Sequence, residues 1–115
     1  MPIKIVTDKI TKDELQIFAK ERFGDMVKVV VDLSQKIMAV GGQMHADEEA
    51  LLLQQGSKQE DLWGINLYPD LEGDNFIEFD SMINLRPAQG NKTRGIEDSN
   101  VREKITKIVY ELYSR

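Results

Sequence analysis

Residues 26–40, MVKVVVDLSQKIMAV, decide the fold class. The run is rich in β-branched and other apolar residues, which suit a pleated surface, and it breaks at Ser34 and Gln35. This predicts a hairpin of two antiparallel strands. Neither strand alternates cleanly, so both faces of the sheet are expected to be partly covered. The glycine pair Gly41 and Gly42 ends the second strand.

Upstream, PIKIVT alternates apolar and polar positions and reads as a strand. ITKDELQIFAKERFG follows as a helix with the best-signed start in the chain: Thr11 can cap it, with Glu14 three residues on. Its apolar stripe is Leu15, Phe18, Ala19 and Phe23, and Gly24 suits the left-handed residue beyond its end.

Downstream, ADEEALLLQQG reads as a short helix with Ala46, Ala50 and Leu53 on one side and Gly56 as its stop. DLWGINLYP and FIEFDSMINLRP then form a second hairpin across DLEGDN. Strand alternation puts Trp63, Ile65 and Leu67 on one face with Ile77, Phe79, Ile83 and Leu85. Asn66, Tyr68, Glu78, Asp80, Asn84 and Arg86 take the other face. A final helix, NVREKITKIVYELY, carries the apolar face Val101, Ile105, Ile108, Val109 and Leu112.

The order β-α-β-β-α-β-β-α implies an α+β two-layer sandwich, with about five mostly antiparallel strands and about three helices. A length of 115 residues favours one domain over 1–115. Hydrophobic content of 41% with 30% charged residues places the chain among globular sequences and not disordered ones.

There is no cysteine, which excludes a disulfide framework, a thiol nucleophile and thiolate metal sites. The start lacks the apolar core of a signal peptide, and no apolar run approaches the ~18 residues of a membrane span. The expectation is a cytoplasmic protein with no membrane contact. A net charge of −5 argues against nucleic acid as a partner. The charge is unevenly spread: His45 to Asp74 is acidic, whereas Ser81 to Ile96 holds Arg86, Lys92 and Arg94 without any acid.

Three stretches carry candidate chemistry. His45, the single histidine, precedes Asp47, Glu48 and Glu49; on a helix it would share a face with Glu48 or Glu49 and not with Asp47. No HExxH pattern exists, and acids at a helix start offset the positive end of its dipole, so the segment reads first as a helix start and not a metal site. GNKTRG (90–95) resembles a phosphate loop but fails as one: Asn91 stands where glycine must precede the lysine, and Arg86 where the first glycine belongs. A looser anion site would use Arg86, Asn91, Thr93 and Arg94. The third stretch is the polar strand face, where Asn66, Tyr68, Asp80, Asn84 and Arg86 are ligand-binding candidates around a side-chain-poor patch at Gly64.

GGQMHADEEALLLQQGS, DLWGINLYP and INLRPAQGN together resemble a family of small bacterial proteins described only as a domain of unknown function. The resemblance runs from about Met26 to the C-terminus. It implies no activity and no cofactor, but it places His45, Asp47, Asp61, Trp63, Gly64, Asn66, Tyr68, Pro69, Asn84, Arg86, Pro87 and Asn91 in the characteristic stretches. The functional expectation is a binding or interaction module without catalysis, for a protein or a small anion. Its rival is a phosphoester hydrolase in which His45 and Glu48 or Glu49 hold a metal or move a proton, with Arg86 and Arg94 stabilising negative charge. That rival requires His45 and Arg86 to be neighbours. Oligomeric state is not readable from the sequence.

Overall fold

A computed structural model describes residues 2–114. Its centre is the expected hairpin: β3 (Val27–Asp32) and β4 (Ile37–Val40) pair antiparallel, Val29 opposite Val40 and Asp32 opposite Ile37. Asp32 makes the turn. Its Oδ1 accepts the backbone N–H groups of Ser34 and Gln35 at 2.8 and 3.0 Å. Its Oδ2 accepts the Ser57 hydroxyl at 2.6 Å and the Gln35 amide at 3.0 Å. Four donors allow a carboxylate to be fully buried there. The break at Ser34 and Gln35 is thus enforced by one side chain.

Outside this hairpin lie β1 (Lys4–Val6), which pairs with β4, and β5 (Leu62–Leu67), which pairs with β3 along its whole length. Then comes the short β6 (Ile77–Glu78). The sheet order is β1-β4-β3-β5-β6, antiparallel throughout. Two further two-residue strands, β2 (Ile10–Thr11) and β7 (Tyr113–Ser114), form a separate parallel pair that ties the start of α1 (Lys12–Arg22) to the end of α3 (Ser99–Leu112).

The helix starts follow local chemistry. In α1, Thr11 Oγ1 accepts the Glu14 N–H at 3.1 Å and the Glu14 carboxylate accepts the Thr11 N–H at 3.3 Å, a complete capping box. Gly24 follows the C-cap Phe23 with φ of 90°. Asp98 caps α3 through the Asn100 N–H. Leu15, Phe18 and Ala19 of α1 and Ile105, Ile108, Val109 and Leu112 of α3 pack with Val29, Val31, Trp63 and Ile65 in the main core. Phe23, expected in that stripe, is 38% exposed because it lies past the last turn.

The opposite sheet face holds a smaller core of Val30, Ala39, Leu52 and Leu62, with Ile3, Ile5, Ile37 and Ile83 against it. Leu52 comes from α2 (His45–Gln54), so this helix covers part of the second face. The expected packing side of α2 is reversed. Ala46, Ala50 and Leu53 are exposed, whereas His45, Glu48 and Leu52 are buried. Positions 45, 48 and 52 share a helical stripe too, and here the inward stripe is the one whose polar groups find backbone partners.

The second hairpin also departs from expectation. Its returning strand stops at Glu78, and the chain continues through short 3-10 turns at Met82–Asn84 and Pro87–Gln89. Ser81 starts the first turn by accepting the Ile83 N–H, and Pro87, which lacks an N–H, starts the second. The two-residue alternation is lost as a result. Ile83 joins the smaller core instead of facing the same way as Trp63, and Leu85 is left 39% exposed.

Candidate functional site

With β6 so short, the outer edge of β5 would be left with unpaired backbone groups. Two side chains replace the missing strand. Asn84, fully buried, accepts the Gly64 N–H at 2.8 Å and donates to the Gly64 carbonyl at 2.9 Å and the Arg94 carbonyl at 3.0 Å. Arg86 donates to the carbonyls of Ile83 (2.9 Å), Gln59 (2.8 Å) and Leu62. Its guanidinium also stacks on Trp63 at 4.9 Å from the ring centroid and sits 3.5 Å from Glu49. Burial pushes the Arg86 pKa down from its ordinary value, and Glu49 opposes this.

Asn91 fixes the loop that carries these residues. Its amide nitrogen reaches the carbonyls of Asn84 (2.7 Å), Gly95 (2.8 Å) and Thr93 (3.1 Å), and its oxygen accepts the Glu97 N–H at 2.9 Å. A Cβ at Gly64 would lie 2.5 Å from the Ser81 Cβ, so glycine there lets this loop close onto β5. The side-chain-poor patch is therefore filled by the chain itself.

Further along β5 the edge opens into a cleft of about 290 Å³, between the start of α2 and the segment after β6. His45, Asn66, Lys28, Glu78, Asp80 and Arg94 supply its polar lining, and Met26, Met44, Met82 and Ile83 an apolar rim. Asn66 donates through Nδ2 to Glu78 Oε1 at 2.8 Å and to the Asp80 carbonyl at 3.3 Å. Both partners can only accept, so the amide orientation is fixed and Oδ1 points away from them. That oxygen is buried and has no hydrogen-bond partner. Glu78 Oε1 also accepts the Tyr68 hydroxyl at 3.0 Å, and Arg94 Nε donates to Asp80 Oδ1 at 2.8 Å.

His45 is held by the Ile65 carbonyl, 2.8 Å from Nε2. A carbonyl accepts only, so Nε2 carries the hydrogen and the neutral ring keeps its lone pair on Nδ1. Burial pushes the imidazole below its ordinary pKa; the Ile65 hydrogen bond opposes this, Lys28 reinforces it, and Asn66 and Asp80 oppose it. The ring is thus tied to the β5 backbone at the cleft wall, where burial disfavours its charged form.

Glu48 lies one turn further on, fully buried, with Oε2 accepting the Gly42 N–H at 2.9 Å and Oε1 unpartnered. Burial raises its pKa well above the ordinary carboxylate value, against the Gly42 hydrogen bond and Lys28 and with the help of Asp47.

The sequence candidates therefore separate. His45, Asn66, Asp80 and Arg94 meet in the cleft, and Tyr68 is bonded to Glu78, which lines it. Asn84, Arg86 and Asn91 bind backbone groups outside the lining, and the Thr93 carbonyl is one of the Asn91 acceptors. Asp80 pairs with Arg94 and not with Arg86. His45 and Arg86 bind β5 carbonyls three residues apart, about 10 Å along a strand. Glu48 faces Gly42 and Glu49 faces Arg86, so neither joins His45. HADEE is a helix start, with its histidine and second acid turned inward.

The lining also takes in Lys28, Glu78 and the three rim methionines, which are not among the sequence candidates. Glu78 was legible, since it shares a strand face with Asp80. The methionines were not: Met82 reaches the rim through a 3-10 turn that replaces an expected strand.

Among the described residues no group of three or more acids or histidines could hold a metal ion, and no helix is long and apolar enough to cross a membrane. The family model described as "Protein of unknown function (DUF5674)" matches residues 4–112. No curated protein and no solved structure matches the chain.

Proposed function

The chain belongs to the family described as Protein of unknown function (DUF5674), and from that premise we propose that it is a non-catalytic binding module whose ligand occupies the cleft beside His45 and Asn66. The observation that supports this reading is the buried Asn66 oxygen without a donor. An unpartnered buried acceptor costs about 1–3 kcal/mol. A ligand that supplies the donor recovers that cost, which gives the protein a stake in binding.

The residue chemistry weighs against phosphoester hydrolysis. Arg86 is occupied by carbonyls and by Glu49, Glu48 is enclosed, and His45 has one nitrogen tied to Ile65. A nucleophile, a base and an anion clamp are not brought within reach of one another.

The test is amide NMR of the labelled protein against a set of small amines, carboxylates, amino acids and inorganic phosphate. Saturable shifts at residues 44–46, 66, 80–83 and 94 that vanish in Asn66→Leu are the expected result. Binding that leaves those residues still and moves 86–93 instead would place the ligand elsewhere and sink the reading.

A further inference from the structure

We infer that the ligand of this cleft is a small zwitterion, a free α-amino acid, gripped at its ammonium by Asn66 and His45 and at its carboxylate by the start of α2 with Arg94 and Lys28. This rests on the cleft being the binding site proposed above.

One part of the lining consists of acceptors. Asn66 is 5% exposed and His45 7%; the Asn66 Oδ1 lacks a donor among the described residues, and the His45 ring lies beside Asn66. Glu78 and Asp80 add negative charge beside them. An ammonium offers three donors in a compact group, which suits an unpartnered acceptor with an imidazole and two carboxylates beside it.

Donors lie next to these acceptors. The N-cap of α2 is Met44, whose side chain cannot accept the first amides, so the N–H groups of His45 and Ala46 have no capping partner. Only the Asp47 N–H turns back, to the Met44 carbonyl at 3.1 Å. The positive end of the helix dipole and two uncapped amides suit a carboxylate. Arg94, whose Nε alone is occupied by Asp80, and Lys28 add positive charge to the same lining.

Charge balance selects for both groups at once. Lys28 and Arg94 oppose Glu78 and Asp80 in the lining, so a simple cation meets the two bases and a simple anion meets the two acids. A zwitterion in the right orientation meets neither penalty. The cavity, about 290 Å³, sits at the bottom of the usual range of roughly 300–1,000 Å³ for small-molecule pockets, which fits an amino acid and not a nucleotide. Met44 and Met82, 56% and 62% exposed, form an adaptable apolar rim against which the ligand side chain can pack.

The experiment is the same amide NMR titration with a panel of free L-amino acids, followed by N-acetyl and carboxamide forms of the tightest binder. Saturable shifts at 44–46, 66 and 94 are expected, with about tenfold weaker binding when either end is blocked, since each block removes charge-assisted hydrogen bonds. In Asn66→Leu, whose unchanged spectrum elsewhere confirms folding, the preference for the free over the acetylated amine should disappear. An acetylated form that binds as well as the free one overturns the inference. So does cleft binding by an amine or carboxylate with no binding by any amino acid, although that result leaves the binding site itself standing. Silence of the cleft towards every probe overturns both readings.

Discussion

Asn84 and Asn66 both serve the outer side of β5, two residues apart in the positions they address, Gly64 and Asn66 itself, yet they are in opposite bonding states. Asn84 uses its oxygen and its nitrogen to complete Gly64 as a neighbouring strand would. Asn66 uses only its nitrogen and keeps a buried oxygen without a donor. The same contrast holds for two basic side chains that bind β5 carbonyls. Arg86 meets three carbonyls and a carboxylate, whereas His45 binds one carbonyl and leaves a lone pair at the cleft wall. Polar residues along β5 are thus divided between those fully bonded to its backbone and those with a bonding position left over. What distinguishes them is complete bonding, not residue type.

The closed end should be costly to disturb. Arg86→Ala removes the partner of a half-buried Glu49, three carbonyl contacts and the stack on Trp63; losing one member of a buried pair typically costs about 3–5 kcal/mol. Urea unfolding should show a loss of that size, and Arg86→Lys should recover only part of it, because a point charge cannot reach all three carbonyls. A loss below about 1 kcal/mol would mean the edge is held by something else. Asn84→Ala comes next, at about 2–4 kcal/mol, since it strands both backbone groups of Gly64 in a dry setting. Hydrogen exchange at Gly64 should speed up in that variant ahead of the rest of β5.

The contrast between these two ends was only half legible in the sequence. Alternation identified the polar residues of 66–86, and the hairpin, the capping box and the apolar stripe of α3 followed from spacing alone. Polar residues at i and i+2 in an apolar strand, the spacing of Asn84 and Arg86, look like an exposed face that meets a ligand. The strand they belonged to had ended at Glu78, and their side chains took over its hydrogen bonds. Periodicity cannot report that exchange, since it depends on the turn started by Ser81. Likewise α2 offered two plausible stripes. The alanines and Leu53 looked like the core side, but the sheet beneath presented the Ile65 carbonyl and the Gly42 N–H, which only His45 and Glu48 could satisfy.

That inward polar stripe gives the open end a pH signature. His45 is depressed below its unfolded value of 6.5, so its contribution to stability is present above pH 6.5 and is lost as pH falls from there towards the folded pKa. Glu48 is raised above 4.5, so its contribution is full below pH 4.5 and is lost as pH rises towards its folded pKa. Between these values the two oppose each other. Glu48→Gln should raise the melting temperature at pH 8, leave it unchanged near pH 4, and unmask a clear loss of stability on acidification from pH 6.5. Equal melting shifts at pH 4 and pH 8 would show that the Glu48 pKa is not raised by folding.

Asn66→Leu should have the smallest effect on folding and the largest on binding. The substitution gives up two hydrogen bonds from Nδ2, each worth about 1 kcal/mol net, but it also removes an orphaned oxygen whose burial costs about 1–3 kcal/mol. These terms offset, so the unfolding free energy should move by less than about 1 kcal/mol in either direction. Glu78, left behind, is exposed and keeps its Tyr68 partner, so no new buried charge is created. If the variant loses as much stability as Asn84→Ala, Asn66 belongs with the residues that close the edge, and the distinction drawn between the two asparagines fails. If stability is preserved while ligand shifts in the cleft are abolished, the unpartnered oxygen is a feature kept for binding, at a small cost to the fold.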